Sequence, residues 1–265
     1  MMPPQPVLDA FGIAGPLKKL EGGKGSAWLA DGLVLKPRDL LPQELEWLDT
    51  RARELSHGGP LRLSLPVRST AGNLSEEEWV AYGYLPGEYT SGRWLEKASV
   101  ALAFSGLFTG EPRPPFLDER NHAWAEADRF AWEETSALGG QEIPYVPELV
   151  AARRPVDGVP CIIHGDLTGN ILEHPGGVPA VIDPTLYYRP VDYAVAIIAV
   201  DAVCFEGASL SLLESMSPGQ AFPQYLLRAL LFRIVTDALN HRQEAAFGAY
   251  RHTVERVLDR AASHR

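Results

Sequence analysis

Three side chains in the second half of the chain carry the types and spacing of one piece of chemistry. Asp166 and Asp183 each follow a short apolar run, Cys161-Ile162-Ile163 and Ala180-Val181-Ile182. Runs of that length read as buried strands, so each delivers a carboxylate at a strand end. The turn signal His174-Pro175-Gly176-Gly177 lies between them. It lets both carboxylates face one cleft, with the amide of Asn170 in between. Two carboxylates and an amide oxygen are hard donors suited to Mg²⁺ and its attached phosphates. A lone Asp before a turn is usually a cap, but each of these three follows or closely trails a buried-type run.

Upstream, Gly22-Gly23-Lys24-Gly25-Ser26 sits between two strand candidates. Such a loop can set several backbone N–H groups against phosphate oxygens, although an ordinary hairpin turn has the same composition. It matches neither G-x-x-x-x-G-K-S/T nor a G-x-G-x-x-G that opens a helix, which disfavours P-loop and dinucleotide-binding folds. Lys36 closes the apolar run Leu33-Val34-Leu35. From a strand end its ammonium can reach phosphates, with a helix carboxylate to orient it; a solvated strand face is the plainer alternative.

The elements that must position these groups follow from the pattern around them. Residues 17–36 read as strand, glycine loop, strand, the hairpin turn Asp31-Gly32, and a third strand. Pro42 opens a helix to about Leu55, with Leu45, Leu48, Ala52 and Leu55 on one face. Further strands are expected near Leu61–Arg68 and Glu77–Tyr84, joined by the turn Ala71-Gly72-Asn73. Together these make a small, mainly antiparallel sheet with one helix, and the breaker Leu85-Pro86-Gly87-Glu88 ends it. The segment before Gly15 reads as a loosely docked arm. Beyond the breaker, helices are expected over Trp94–Leu107, Trp124–Thr135, Val191–Cys204, Phe222–Leu239 and Ala245–Ala261, with Ile143–Ala151 a connector or short strand. A β-rich front and a helical remainder predict an α+β fold of two lobes, residues 1–84 and 85–265.

Composition narrows the partners. The chain has 265 residues, 46% hydrophobic, and its 34 acidic against 24 basic residues give a net charge of -10. That surface disfavours nucleic acid and anionic membrane as partners but allows a small anion in a locally cationic cleft. The two cysteines, Cys161 and Cys204, lie in apolar runs and are expected as free thiols in a reducing compartment. No signal-peptide pattern opens the sequence, and the longest apolar run, Ala194–Phe205, holds Asp201 and is too short to span a bilayer. A cytoplasmic protein is expected. No Ser sits in a G-x-S-x-G elbow and the seven His lack metal-ligand spacing, which disfavours serine hydrolase and zinc chemistry.

Taken together, Gly22-Gly23-Lys24-Gly25, Leu35-Lys36, His164-Gly165-Asp166 with Asn170, and Ile182-Asp183 resemble the aminoglycoside phosphotransferase-like branch of the protein-kinase-like fold. The sequence is still more similar to a small uncharacterised actinobacterial group in that branch, through Ala27-Trp28, Leu35-Lys36-Pro37, Glu46-Trp47-Leu48, Trp124–Arg129 and His164–Asn170. The resemblance covers about residues 17–260 and implies the two-lobed kinase-like fold, with ATP and Mg²⁺ as cofactors and a small-molecule hydroxyl as acceptor.

By that resemblance Asp166 is the catalytic Asp that accepts or orients the hydroxyl proton, and Asn170 and Asp183 bind Mg²⁺. Gly22, Gly23 and Gly25 cover the phosphates, and Lys36 pairs with the α- and β-phosphates. Its helix partner is Glu44, one turn before Leu48, or Glu46. Tyr82 and Tyr84 form the hinge beside the adenine. His164 supports the loop or transfers protons; Asp192 supports the segment after the metal loop or caps a helix. The branch places Asn five residues after the catalytic Asp, whereas here it is four, a shortening that the actinobacterial group shares. Pro184-Thr185 follows Asp183 in place of Phe-Gly. No Ala-Pro-Glu-type peptide-positioning segment is present, which disfavours a protein kinase. A nucleotide-binding regulatory or degenerate kinase-like protein is the alternative reading.

Overall fold

The computed structural model describes all residues except 22–24, 136–141, 175–176, 218, 242–243 and 264–265, together with the side chains of 244–246. The chain opens with helix α1 (Gln5–Ala10), closed by Gly12 at φ 68°. Val7, Phe11 and Ile13 are 0%, 8% and 5% exposed and pack with Ala30, Leu35, Trp79 and Ala81. The arm expected to be loosely docked is docked firmly: Val7 and Phe11, one helical turn apart, bury together despite the surrounding prolines. The Asp31 carboxylate accepts the Ala14 and Gly15 N–H groups at 2.9 and 2.8 Å and ties the arm down. Those backbone bonds hold the Asp31 carboxyl below its usual range.

Strands β1 (Lys18–Lys19), β2 (Trp28–Ala30) and β3 (Leu33–Pro37) follow. The expected two-residue turn joins β2 to β3, with Asp31 and Gly32 at φ 47° and 77°. Helix α2 (Pro42–Trp47) runs through a π-helical turn, Leu48–Ala52, into α3 (Arg53–Ser56). Leu45, Leu48 and Ala52 are buried as their spacing requires. The Thr50 hydroxyl donates to the Glu46 carbonyl at 2.6 Å, a side-chain bond that competes with the α-helical ladder where it widens.

The expected strand Leu61–Arg68 is two strands in different sheets. β4 (Arg62–Leu63) and β5 (Pro66–Val67) flank Ser64-Leu65, where the Ser64 N–H donates to Val181 and its hydroxyl to Gly83. β5 joins β6 (Trp79–Gly83) in an antiparallel sheet of order β1-β2-β3-β6-β5. β4 leaves it, and β7 (Glu88–Tyr89) begins a second sheet.

Helices α4 (Trp94–Leu107), α5 (Phe116–Glu119) and α6 (Ala123–Ala131) come next, α6 capped by His122, whose Nδ1 accepts the Ala125 N–H at 3.2 Å. The segment expected as a connector or strand contains α7 (Val146–Ala152); Val146 and Leu149 bury one face, and Pro147 sits in its first turn. Strand β8 (Cys161–His164) precedes β9 (Ile171–Glu173) and β10 (Ala180–Val181). The second sheet has order β4-β10-β9-β7, with β4 and β10 parallel.

Strand β11 (Leu186–Arg189), not expected from the sequence, pairs antiparallel with β8, Leu186 opposite His164. Helices α8 (Val191–Phe205), α9 (Leu212–Ser215) and α10 (Phe222–Leu239) lead through a 3₁₀ turn, Glu244–Tyr250, to α11 (Arg251–Ser263). α8 is apolar almost all round, the pattern of a helix enclosed by others, and every residue from Tyr193 to Ala202 is buried; α10 is buried along nearly its whole length, Arg228 and Arg233 included.

Two compact units result, residues 1–89 with 171–184 and residues 90–170 with 185–265. The sequence places the boundary at residue 84; by contacts it falls after Tyr89, and β9 and β10 join the first unit. The first is β-rich and the second mostly helical, the α+β architecture expected. Both cysteines are free. Among the described residues no helix is long and apolar enough to cross a membrane.

Candidate functional site

Lys36 and Asp183 meet within the first unit. Alternation along β3 sends Leu35 into the core, 0% exposed, and Lys36 to the other face. There Lys36 Nζ ion-pairs with Asp183 Oδ1 and stands 4.8 Å from the Tyr82 ring centroid. Asp183, just past β10, takes φ 51°, a left-handed conformation that Asp tolerates better than most residues and that aims its carboxylate out of the strand line. Burial, followed by Asp39 and Asp183, pushes the Tyr82 phenol far up, so it stays neutral beneath the ammonium.

The other first-unit candidates divide. Glu44, 1% exposed, sits in the first turn of α2, whereas the Glu46 carboxylate is engaged by Arg68 at 2.7 Å. Tyr84 is 43% exposed; its N–H donates to Gly32 and that of Gly83 to Leu65. Both amides are therefore used by backbone pairing, and the next N–H along the chain belongs to Leu85. Gly25 takes φ 63°, and no atom lies within 4 Å of the place a methyl would occupy there. Gly22 and Gly23 lie outside the described residues.

The second unit holds Asp166 and Asn170. His164, 1% exposed at the end of β8, accepts the Asp166 N–H on Nδ1 at 3.0 Å while Phe104 meets its ring edge-on. Its Nε2 lies 3.4 Å from the Thr185 nitrogen. A neutral imidazole accepts at one nitrogen only, and the shorter contact takes the lone pair. This arrangement is a brace for the loop, the supporting role of the two left open by sequence. A Cβ on Gly165 would run into the Tyr187 ring, so only glycine fits between strand and loop. Lys97, buried on α4, donates to the Thr168 carbonyl at 2.9 Å.

The four-residue spacing closes a tight turn. The Asn170 N–H donates to Leu167, and its side-chain Nδ2 donates to the Asp166 carbonyl at 2.6 Å. With Nδ2 so fixed, Oδ1 is the outward end of the amide. Asp166 itself is half-exposed, and its Oδ1 accepts Arg233 Nη2 at 2.7 Å. Arg233, on α10, also donates through Nε to Asp201 Oδ1 at 2.7 Å and through Nη2 to Oδ2. Burial opposes the Arg233 charge, but Asp201 and Asp166 outweigh it and hold the guanidinium protonated. Asp192 lies in the first turn of α8, with the Ser217 hydroxyl 3.5 Å from its carboxylate.

Asp166 and Arg233 also line a pocket of about 570 Å³ in this unit, walled by Trp124, Phe205, Asp237 and Tyr250. The Tyr250 hydroxyl donates to Asp237 at 2.7 Å. Lys97, Asp201 and Arg233 were not singled out from sequence. One signal was present: Asp201 is the charged interruption of the longest apolar run.

Among the described residues no three His, Cys, Asp or Glu side chains cluster as a metal site. Mg²⁺ asks for less, one or two protein oxygens completed by phosphate and water. The donor chemistry fits that demand. The Asp183 carboxylate already attracts a cation in Lys36, and Asn170 offers a neutral oxygen.

No family model matches the sequence, nor does any curated protein. Solved structures do match over nearly full length. An aminoglycoside phosphotransferase from Alicyclobacillus acidocaldarius is 14% identical, with 100% of this chain and 96% of that one covered at a TM-score of 0.62. A microcompartment-associated aminopropanol kinase is 14% identical, with 98% and 94% covered at 0.66. A choline kinase from Streptococcus pneumoniae is 12% identical, with 92% and 94% covered at 0.58. The chain therefore has the protein-kinase-like fold of small-molecule phosphotransferases.

Proposed function

We propose that this protein is a cytoplasmic, ATP- and Mg²⁺-dependent phosphotransferase acting on a hydroxyl of a small molecule, akin to the small actinobacterial group in the aminoglycoside phosphotransferase-like branch. The observation that carries the proposal is Asp166: a half-exposed carboxylate with one oxygen held by Arg233, at the wall of a 570 Å³ pocket. Asp166 Oδ2 receives the acceptor hydroxyl and orients it, taking its proton as the new bond to the γ-phosphorus forms and the bond to the bridging oxygen breaks, with ADP leaving. Lys36 meets the nucleotide phosphates, with Glu44 as its helix partner, and Gly22, Gly23 and Gly25 cover them. Tyr82 and Tyr84 flank the adenine, whose edge meets the hinge backbone at Leu85. Asn170 and Asp183 hold Mg²⁺, which neutralises phosphate charge. The sequence resemblance supports these assignments, and the Lys36–Asp183 ion pair and the Asp166–Asn170 turn are in keeping with them.

The pocket suggests the acceptor's character. Carboxylates and aromatic rings line it, and such walls favour a small alcohol that carries an amine over an anionic one. Two proteins of like fold are named for aminopropanol and choline, alcohols of that kind. The test is ADP release from ATP and Mg²⁺ over a panel of ethanolamine, choline, 1-amino-2-propanol and neutral polyols. Turnover that Asp166→Asn lowers by about 10²- to 10⁴-fold, with nucleotide affinity intact, is expected. Nucleotide binding without turnover across a wider panel would move the protein to the regulatory reading. No binding at millimolar nucleotide would end both.

A further inference from the structure

Arg233 is a charged residue in a helix that is buried along nearly its whole length, and it is 9% exposed. A buried guanidinium needs its donors satisfied in the fixed geometry of its fork. Asp201, 5% exposed on α8, takes Nε and Nη2 together and fixes the plane of the group. The same Nη2 then points at Asp166 Oδ1, 2.7 Å away, and lies 3.5 Å from the Gly165 carbonyl. Asn170 Nδ2 is 3.4 Å from the other oxygen, Oδ2, too far for more than a weak bond. The two carboxylate oxygens are thus made unequal, Oδ1 clamped at 2.7 Å and Oδ2 held only by a long contact.

We propose that Arg233, locked by Asp201, is the positioning residue that sets the orientation of the Asp166 carboxylate and so selects Oδ2 as the oxygen that meets the acceptor. The inference rests on the reading of Asp166 as the acceptor-facing group. The loop's own side chains offer no short donor to Oδ1 among the described residues: Thr168, two residues on, turns its hydroxyl toward Asp201, 3.5 Å away. His164 acts on the Asp166 main chain, and Asn170 acts chiefly there, reaching Oδ2 only at 3.4 Å, so neither holds the carboxylate as firmly as Arg233 does. The clamp comes from two helices, α8 and α10, that are among the most enclosed in the protein, and so it is stiff.

Removing Arg233 alone strands the buried Asp201 charge and can unfold the chain, whereas replacing both buried partners by apolar residues of similar size is commonly tolerated. The test is therefore the double variant Asp201→Leu/Arg233→Met, with Arg233→Lys beside it. Turnover is measured on the best acceptor of ethanolamine, choline and 1-amino-2-propanol, nucleotide affinity by calorimetry, and the Asp166 side chain by crystallography. In the double variant kcat falls about 100-fold, the scale for a misplaced reacting group, while nucleotide Kd holds within twofold and Asp166 leaves its rotamer. Arg233→Lys, which keeps the charge but not the fork, loses about 10-fold and retains the rotamer. A double variant with kcat within threefold of the parent, or with Asp166 unmoved, overturns the clamp. Absence of turnover in the parent chain would sink the functional reading instead, and the rotamer comparison still decides the clamp.

Discussion

Replacing Lys36 by Met separates a structural ammonium from a phosphate-binding one. Met keeps most of the apolar stem that lies along the sheet. What disappears is the Asp183 ion pair and the charge 4.8 Å from the Tyr82 ring centroid. The Asp183 side chain is 52% exposed, so solvent screens the pair heavily and its share is ~0–1 kcal/mol. The ring contact adds about 0.5–1 kcal/mol. A loss of about 1 kcal/mol moves Tm by roughly 2–4 °C in a chain of this size. Nucleotide binding should respond differently, because a hydrogen bond to a charged group is worth about 1.5–3 kcal/mol, or roughly 10- to 150-fold in Kd. Scanning calorimetry of the free protein and titration with a non-hydrolysable ATP analogue and Mg²⁺ read the two effects separately. A Tm lowered by more than 10 °C with Kd unchanged would make Lys36 a brace for the sheet and remove it from the phosphate site.

Three further outcomes follow from the packing. Phe11→Ala should lower stability by about 3–5 kcal/mol in urea melts, because the ring is part of the core; a loss below 1 kcal/mol would return the arm to a loose one. Gly165→Ala should lower stability by about 1–3 kcal/mol and displace the loop that carries Asp166, because the new methyl meets the buried Tyr187 ring; unchanged Tm and turnover would refute the close approach. Burial pushes the Cys204 thiol up to about 12, so the unfolded chain gives up this proton first. Stability should therefore fall as pH rises from about 9 toward 12, with a shallower fall in Cys204→Ala; identical slopes would show that Cys204 contributes nothing there.

What the sequence disclosed depended on how local the cause was. The hairpin at Asp31-Gly32 and the helix Trp94–Leu107 follow from neighbouring residues alone, and both stand where their patterns put them. The turn from His164 to Asn170 is local in the same way, since His164 Nδ1, the Asp166 main chain and Asn170 bond to one another within seven residues. Arg233 is not, because its partner Asp166 is 67 positions away and nothing beside Arg233 foretells the meeting. The strand near Leu61–Arg68 failed similarly: its apolar residues alternate without a break at Leu61, Leu63, Leu65 and Val67, but its two ends are claimed by different sheets. In the N-terminal arm the one-turn spacing of Val7 and Phe11 is too short a signal to stand against three prolines, and the sheet face that receives both side chains lies far along the chain.

The parallel pairing of β4 with β10 also sets a timetable for the chain as it is made. Arg62 donates to the Val178 carbonyl 116 residues further on, so the second sheet of the first unit cannot close until that stretch has been synthesised. At translation rates of about 5–20 residues per second the delay is on the order of ten seconds. Throughout it the nascent β4 and β7 present unpaired edges, the surface by which incomplete sheets aggregate. The N-terminal segment therefore emerges first but is finished late, which makes slow-translation and chaperone-depletion experiments sensitive reporters of this one strand pairing.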